Sequence, residues 1–143
     1  MSRTTNLILS AICGVLFAAG WWCFIDGFSY ADSQGDNAGP FYMYLPSIFA
    51  TIGLFLLNNI RDEVFQANTS SEDIEWWEKL LIVISCIFHL AALIESVWVY
   101  LGKHINNQSN ILKWRGISCI VSSILITLSS FAWRFLYKDP DAF

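Results

Sequence analysis

Charged residues are scarce in this chain. Asp, Glu, Lys and Arg make up 14% of its 143 residues, whereas a soluble domain usually carries about 25%. The eight basic residues do not cluster and the net charge is −4, so the sequence gives no reason to expect nucleic-acid binding. Hydrophobic residues account for 55% of the chain, and this balance predicts a membrane protein rather than a soluble domain.

Motifs that usually carry catalysis or metal binding are absent as well. The sequence contains no Gly-rich phosphate loop, no HExxH pair and no nucleophile elbow. No CxxC pair occurs among the four cysteines, so disulfide or metal chemistry is not expected; they are Cys13, Cys23, Cys86 and Cys119. We therefore expect no enzyme activity, and no catalytic, cofactor-binding or metal-binding residue.

What the chain has instead is four long apolar segments. A helix needs about 20 apolar residues to cross a hydrocarbon core of about 30 Å. The first segment is longer than the core of a signal peptide and ends in bulky Trp21 and Trp22, so we interpret it as a retained span. The second is just long enough if it stands upright. The sequence predicts one all-α membrane domain, a four-helix bundle with short loops and spans at about 6–28, 42–60, 76–101 and 112–136.

The connection before the third span is acidic and carries two possible capping boxes, Thr69–Glu72 and Ser70–Asp73. Acidic residues in a first helical turn also suit the helix dipole. We therefore predict that the third helix begins near Glu72, outside the bilayer, with Trp76 and Trp77 at the headgroup level.

The distribution of Lys and Arg predicts the orientation of the bundle. An even number of spans places both termini on one side, and that side carries five basic residues against three on the other, which favours cytosolic termini. Asn107, which begins a glycosylation sequon, then faces the lumen. The first group is Arg3, Arg61, Lys79, Arg134 and Lys138, and the second is Lys103, Lys113 and Arg115.

Small and hydroxyl-bearing residues recur at helical spacing in three spans. In lipid such residues let helices approach closely and form hydrogen bonds, so we predict that they form the seams of the bundle. A hydroxyl-lined path through the bundle is the functional alternative. The residues are Ser10, Gly14 and Ala18 in the first span, Ala91, Ala92 and Ser96 in the third, and Cys119, Ser123 and Thr127 in the fourth.

Three ionisable residues lie at membrane depth, where they are expensive and suggest a function. Asp26 ends the first span, and we interpret it as a structural residue at the membrane surface. His89 and Glu95 lie in the third span. Glu95 has the same predicted depth as Lys113 and Arg115, so we predict an intramembrane ion pair between Glu95 and one of these two cations. A proton or cation site is the alternative.

The first span carries a more specific pattern. Residues 10–30 read SAICGVLFAAGWWCFIDGFSY, which resembles the first span of the transmembrane protein 50 family, a Gly-containing helix followed by G-W-W and then an Asp. The resemblance continues in order through the later spans and covers nearly the whole chain. The residues that fall on the family pattern are Gly20, Trp21, Trp22, Asp26, Asn58 and Trp98.

The resemblance implies a small four-span protein of the endoplasmic reticulum, Golgi or endosomes, without enzymatic activity. The family includes the fungal vacuolar protein sorting protein 68, which implies a role in endosomal sorting beside a small four-span protein of the leptin-receptor-overlapping-transcript family. We therefore expect a protein that contacts membrane lipids and binds other integral membrane proteins. Two alternatives stay open: an accessory subunit of a larger complex, and a small transporter or channel that uses Asp26, Glu95 and His89.

The predicted orientation is tested with tags fused to each end of the chain. Antibody should reach both tags when only the plasma membrane is permeabilised, because the basic residues place both termini in the cytosol. As a control, an epitope inserted after Gly35 should stay protected until the internal membranes are permeabilised too. Protection of either terminal tag would contradict the orientation.

Overall fold

The computed structural model describes residues 3–35, 41–65, 69–104 and 110–137, so Asn107 lies outside the described residues. The described residues form four helices, and the prediction of an all-α four-helix membrane bundle is confirmed. The helices are α1 (Arg3–Ser33), α2 (Leu45–Asn58), α3 (Trp76–Val99) and α4 (Asn110–Leu136). Two 3₁₀ turns, Phe41–Met43 and Asp62–Phe65, flank α2, and a π-helical turn, Tyr100–His104, follows α3.

The helix lengths differ from the predicted spans at α1 and α2. Helices α1, α3 and α4 are long and apolar enough to cross a membrane. Helix α2 has only 14 residues, which corresponds to about 21 Å, because Pro46 occupies its first turn and the chain leaves the helix at Asn59. Helix α1 continues well past Trp22 to Ser33 and therefore extends beyond the apolar segment that predicted it.

Helix α3 begins at Trp76, so the predicted start near Glu72 is wrong. The capping box is formed by Glu75 and Glu78, whose carboxylate accepts a hydrogen bond of 3.2 Å from the Glu75 backbone N–H. Neither predicted box, Thr69–Glu72 nor Ser70–Asp73, begins the helix, and Ser70 instead donates to the Asp73 carboxylate at 2.8 Å.

Helix α4 lies at the centre of the bundle and contacts each of the other three helices. Half of its span is buried, against about a fifth of the spans of α1 and α3. Helix α2 packs between α3 and α4, whereas α1 packs mainly on α4. Arg3 and Tyr137 line the same groove, so both ends of the described chain lie at one end of the bundle, which we call the termini end.

Exposed tryptophans indicate the depth of the bundle in the membrane. Trp76 and Trp98 are highly exposed on α3, and their separation along the helix is about 33 Å. Trp114 and Trp133 on α4 are about 29 Å apart by the same rise. Both values match a hydrocarbon core of about 30 Å with aromatic residues at its two interfaces. The end of α1 beyond Trp22 therefore projects above the membrane at the end opposite the termini.

Two glycines bring α1 very close to α4. A Cβ atom on Gly27 would lie 2.0 Å from the Ser118 hydroxyl, and one on Gly20 would lie 2.9 Å from Ile126 Cγ1. Ser129 adds a hydrogen bond of 2.7 Å to the Cys13 carbonyl. Such close packing and hydrogen bonding stabilise helix pairs in lipid, where apolar contact alone does not.

The predicted seam on α1 is therefore corrected. Ser10, Gly14 and Ala18 are exposed, and no atom lies within 4 Å of a Cβ built on Gly14. The face that packs on α4 lies beside this stripe and consists of Cys13, Gly20, Phe24, Gly27 and Ala31. The predicted seam positions on the other helices are buried or half-buried; they are Ala91, Ala92, Ser96, Cys119, Ser123 and Thr127.

Arg134 closes the termini end of the bundle. Its side chain is 4% exposed, and its Nε donates to the Leu57 carbonyl at 2.9 Å. Its terminal nitrogens donate to the Ile60 carbonyl and to the Asp62 carboxylate, and the guanidinium lies 4.8 Å from the centroid of the Phe65 ring. The last carbonyl groups of a helix have no hydrogen-bond partner within it. Arg134, which belongs to α4, donates hydrogen bonds to carbonyl groups at the end of α2.

A second arginine links α2 to α3. Arg61 forms a two-pronged ion pair with Glu78, with distances of 2.6 Å from Nε to Oε1 and 2.9 Å from Nη2 to Oε2. The hydrogen bond to Glu78 raises the pKa of the Arg61 guanidinium above its ordinary value. Since Glu78 is fully buried and belongs to the capping box of α3, this pair determines where α3 begins.

Replacing Arg134 with Gln should lower the free energy of unfolding by about 3 kcal/mol, because several buried acceptors lose a charged donor at once. Equilibrium unfolding of the purified chain in mild detergent measures the change. Lys79→Gln, which removes an exposed cation near the same end, should change the value by less than about 0.5 kcal/mol. Identical unfolding midpoints for wild type and Arg134→Gln would contradict this role.

Candidate functional site: an intramembrane cleft between α1 and α2

A cleft opens between α1 and α2 in the half of the bundle near the termini. Its volume is about 220 Å³, and α4 forms its floor. The exposed stripe of α1 contributes Ser10 and Gly14, and the end of α2 contributes Asn58. The lining residues are Ser10, Cys13, Gly14, Phe17, Leu54, Asn58, Ser129, Ser130 and Trp133.

Contacts in the other half of the bundle explain why the cleft exists. Trp21 Nε1 donates to the Thr51 hydroxyl at 3.1 Å. Farther from the termini, the ring centroids of Phe24 and Phe28 lie 5.6 and 4.7 Å from that of Tyr44. These large side chains join α1 and α2 there. Nearer the termini, α1 presents the small residues Ser10 and Gly14 to the corresponding space and leaves it open.

Ser130 gives the floor of the cleft a polar group. Its side chain is 2% exposed, and its hydroxyl has no hydrogen-bond partner among the described residues. The neighbouring Ser129 differs, because it donates to the Cys13 carbonyl. Burying a hydroxyl without a partner costs roughly 1–3 kcal/mol. Ser130 therefore places a polar group without a partner among the described residues at the floor of the cleft.

Asp26 lies four residues beyond Trp22 on α1, and its interpretation as a structural residue at the membrane surface stays a prediction. It is exposed, and its carboxylate accepts a hydrogen bond of 3.1 Å from Trp114 Nε1. The bond ties the projecting end of α1 to the start of α4. Trp22 and Trp98, which sequence analysis also assigned to the family pattern, are 73% and 66% exposed. Both lie at the end of the bundle opposite the termini.

The predicted ion pair between Glu95 and Lys113 or Arg115 is not seen among the described residues, in which ion pairs of Arg61 and Arg134 occur. The close packing of α4 on α1 turns Arg115 toward α1, where its guanidinium lies 5.7 Å from the Phe28 ring centroid. Glu95 is half-buried and lies less than one helical turn from Trp98. This position is near the membrane interface, where burying a carboxylate costs little free energy.

His89 is buried where α2, α3 and α4 meet. Its Nδ1 lies 2.8 Å from the Ser85 carbonyl, and its ring centroid lies 4.9 Å from that of Phe131. Ser85 in turn donates to the Gly53 carbonyl at 2.8 Å. A Cβ on Gly53 would lie 2.5 Å from His89 Nδ1. The imidazole therefore occupies the space that a side chain on α2 would take, and Gly53 is a packing residue that sequence analysis missed.

The three ionisable residues do not meet. Asp26 is on α1, whereas His89 and Glu95 are on α3, and these two helices pack on different sides of α4. No group of three or more His, Cys, Asp or Glu side chains within the described part of the chain is placed to hold a metal ion.

Comparison with known proteins identifies the family of this chain. The model of an uncharacterised protein family, UPF0220, matches residues 1–141. A protein of Dictyostelium discoideum named transmembrane protein 50 homolog is 33% identical over 152 residues, which cover 99% of this chain and 96% of the relative. The chain belongs to the transmembrane protein 50 family. No solved structure matches it.

The residues that sequence analysis assigned to the transmembrane protein 50 pattern have separate roles in this bundle. Gly20 permits the close approach of α1 to α4. Trp21 joins α1 to α2, and Asp26 binds Trp114. Asn58 lines the cleft. Sequence analysis therefore found residues that hold helix contacts, but it missed Ser130, whose only signal was one more hydroxyl in a serine-rich span.

Replacing Gly53 with Ala should lower the free energy of unfolding by about 2 kcal/mol, because the new methyl group collides with the His89 ring. Unfolding in mild detergent measures the loss. The double variant Gly53→Ala/His89→Ala should lose less free energy of unfolding than the sum of the two single losses, since removal of the ring relieves the collision. Gly102→Ala is the matched control, because its Cβ meets no atom within 4 Å. Strict additivity of the two substitutions would contradict the contact.

Proposed function

We propose that this member of the transmembrane protein 50 family is a non-enzymatic membrane protein that binds other integral membrane proteins and supports protein sorting in endosomes and the secretory pathway. The observation that carries the proposal is the exposed stripe of small residues on α1. Only about a fifth of the α1 span is buried, although the helix is long enough to cross the membrane.

The stripe has the properties of a helix-docking face. Ser10, Gly14 and Ala18 recur every four residues, so they lie on one side of α1, and all three are exposed. A partner helix that packs there can approach the α1 backbone closely, which is how helices associate in lipid. In a soluble protein this surface would carry polar side chains, and no such requirement applies inside a bilayer.

Membership of the family supports the sorting role. The proposed compartments are the endoplasmic reticulum, the Golgi and endosomes, and the proposed partner is a small four-span protein of the leptin-receptor-overlapping-transcript family. An accessory subunit docked on a larger membrane complex would use the same face of α1. Both termini would face the cytosol. A transporter or channel gains no support, because Asp26, Glu95 and His89 do not converge.

Replacing Ala18 with Leu should weaken partner binding about tenfold, because a bulky side chain prevents close approach of the partner helix. Affinity purification in mild detergent followed by quantitative mass spectrometry measures partner recovery. Ala18 is exposed and lies outside the lining of the cleft, so the variant should retain the wild-type unfolding midpoint.

Ile12→Phe is the matched control for Ala18→Leu. Ile12 is 52% exposed and lies about 120° around α1 from Ala18, so the added bulk should leave partner recovery unchanged. Equal recovery for wild type and Ala18→Leu would show that the stripe faces lipid, and the proposed binding role of α1 would fall.

A further inference from the structure

The polar and apolar groups of the cleft are ordered by depth. Trp133 marks the interface at the termini end, and Ser130 lies about 4.5 Å deeper along α4. Asn58, the last residue of α2, lies at the same end of the bundle. Phe17 and Leu54 line the part nearer the middle of the membrane. The cleft is therefore polar near the headgroups and apolar farther in.

A second groove continues the cleft toward the termini. It has a volume of about 360 Å³ and shares Ser10 and Trp133 with the first. Arg3 and Tyr137 also line it, so a positive charge and an aromatic hydroxyl lie at headgroup level. This combination of groups is typical of the interfacial region of membrane proteins.

The buried Ser130 hydroxyl is the independent sign that the cleft takes a ligand. Ser130 lines the cleft and is almost completely buried, and its hydroxyl has no hydrogen-bond partner within the described part of the chain. Ser123 on the same helix is equally buried and also lacks a partner, but it does not line the cleft. Ser123 is therefore a matched control for Ser130, because it is a buried serine without a hydrogen-bond partner among the described residues that lies outside the cleft.

We propose that the cleft and the adjoining groove bind one glycerophospholipid from the leaflet on the termini side. One acyl chain lies along Gly14, Phe17 and Leu54. A glycerol-ester oxygen accepts a hydrogen bond from the Ser130 hydroxyl. The phosphate group lies at the level of Arg3.

The size of the cleft favours a lipid over a partner helix as its occupant. A helix with its side chains is about 10–12 Å across, too wide to enter a space of about 220 Å³. An acyl chain is narrow enough to lie between α1 and α2. The depth order of polar and apolar groups also matches that of a phospholipid, with its headgroup at the interface and its chain inside.

Native mass spectrometry of the purified full-length chain tests the proposal, with phosphatidylcholine added back in mild detergent. Wild type and Ser123→Ala should each bind one lipid with equal affinity. Ser130→Ala should bind it about fivefold more weakly, as expected for the loss of one hydrogen bond. Gly14→Leu should abolish binding by filling the cleft, and it should still fold, because no atom lies within 4 Å of the Gly14 Cβ position.

A photoactivatable phosphatidylcholine locates the bound lipid. Cross-links should concentrate in residues 10–17, 54–58 and 129–133 and should decrease in Gly14→Leu. Wild-type lipid affinity in both Ser130→Ala and Gly14→Leu would overturn the proposal, and so would cross-links spread evenly over the outer faces of α3 and α1. Ser10 and Gly14 belong both to the α1 stripe and to the lining of the cleft, whereas Ala18 lies outside the cleft and Ser130 lies outside the stripe. Ala18→Leu therefore tests the partner-binding face, and Ser130→Ala tests the lipid site, each without changing the other.

Discussion

The close approach of α1 to α4 is the constraint on which the rest of the bundle depends. At Gly27 there is no room for even one more carbon atom beside Ser118, and at Gly20 the α4 backbone itself is near, with the Ser122 carbonyl 3.2 Å from the Cβ position. This packing buries one face of α1. The neighbouring small-residue stripe and the cleft beside α2 are what the packing leaves uncovered.

Hydrogen bonds between helices stabilise the interior, as expected where lipid gives helices little reason to associate. Ser47 and Ser122 share a hydrogen bond of 2.8 Å, and Ser129 binds a carbonyl of α1. Arg134 extends the same principle to the end of a short helix, because carbonyls at the end of α2 have neither helical partners nor free access to water. These polar residues therefore join one helix to another.

The ionisable residues at membrane depth lie in different environments. Asp26 and Glu95 lie close to an interface, where charge costs little. His89 lies deep and is held by a backbone carbonyl and an aromatic ring. These groups lie apart in the bundle and do not form one site.

Sequence reasoning succeeded where a property depends on local residues and failed where it depends on a distant partner. Hydropathy located all four helices, and the Trp–Asp pattern of α1 identified the family. The start of α3 was missed because Glu78 is held by Arg61, 17 positions away. The Glu95 pair is not seen among the described residues, and Arg115 lies against Phe28 of α1, a contact that helical periodicity does not indicate.

The sequence by itself therefore determined that this chain crosses the membrane as a small helical bundle, since the transfer of a side chain into lipid depends mainly on that side chain. It also showed that α1 carries small residues on more than one side. Only the tertiary structure decided which side packs and which stays open. That choice depends on the shape of α4 opposite Gly20 and Gly27, and helical periodicity contains no information about the surface of another helix.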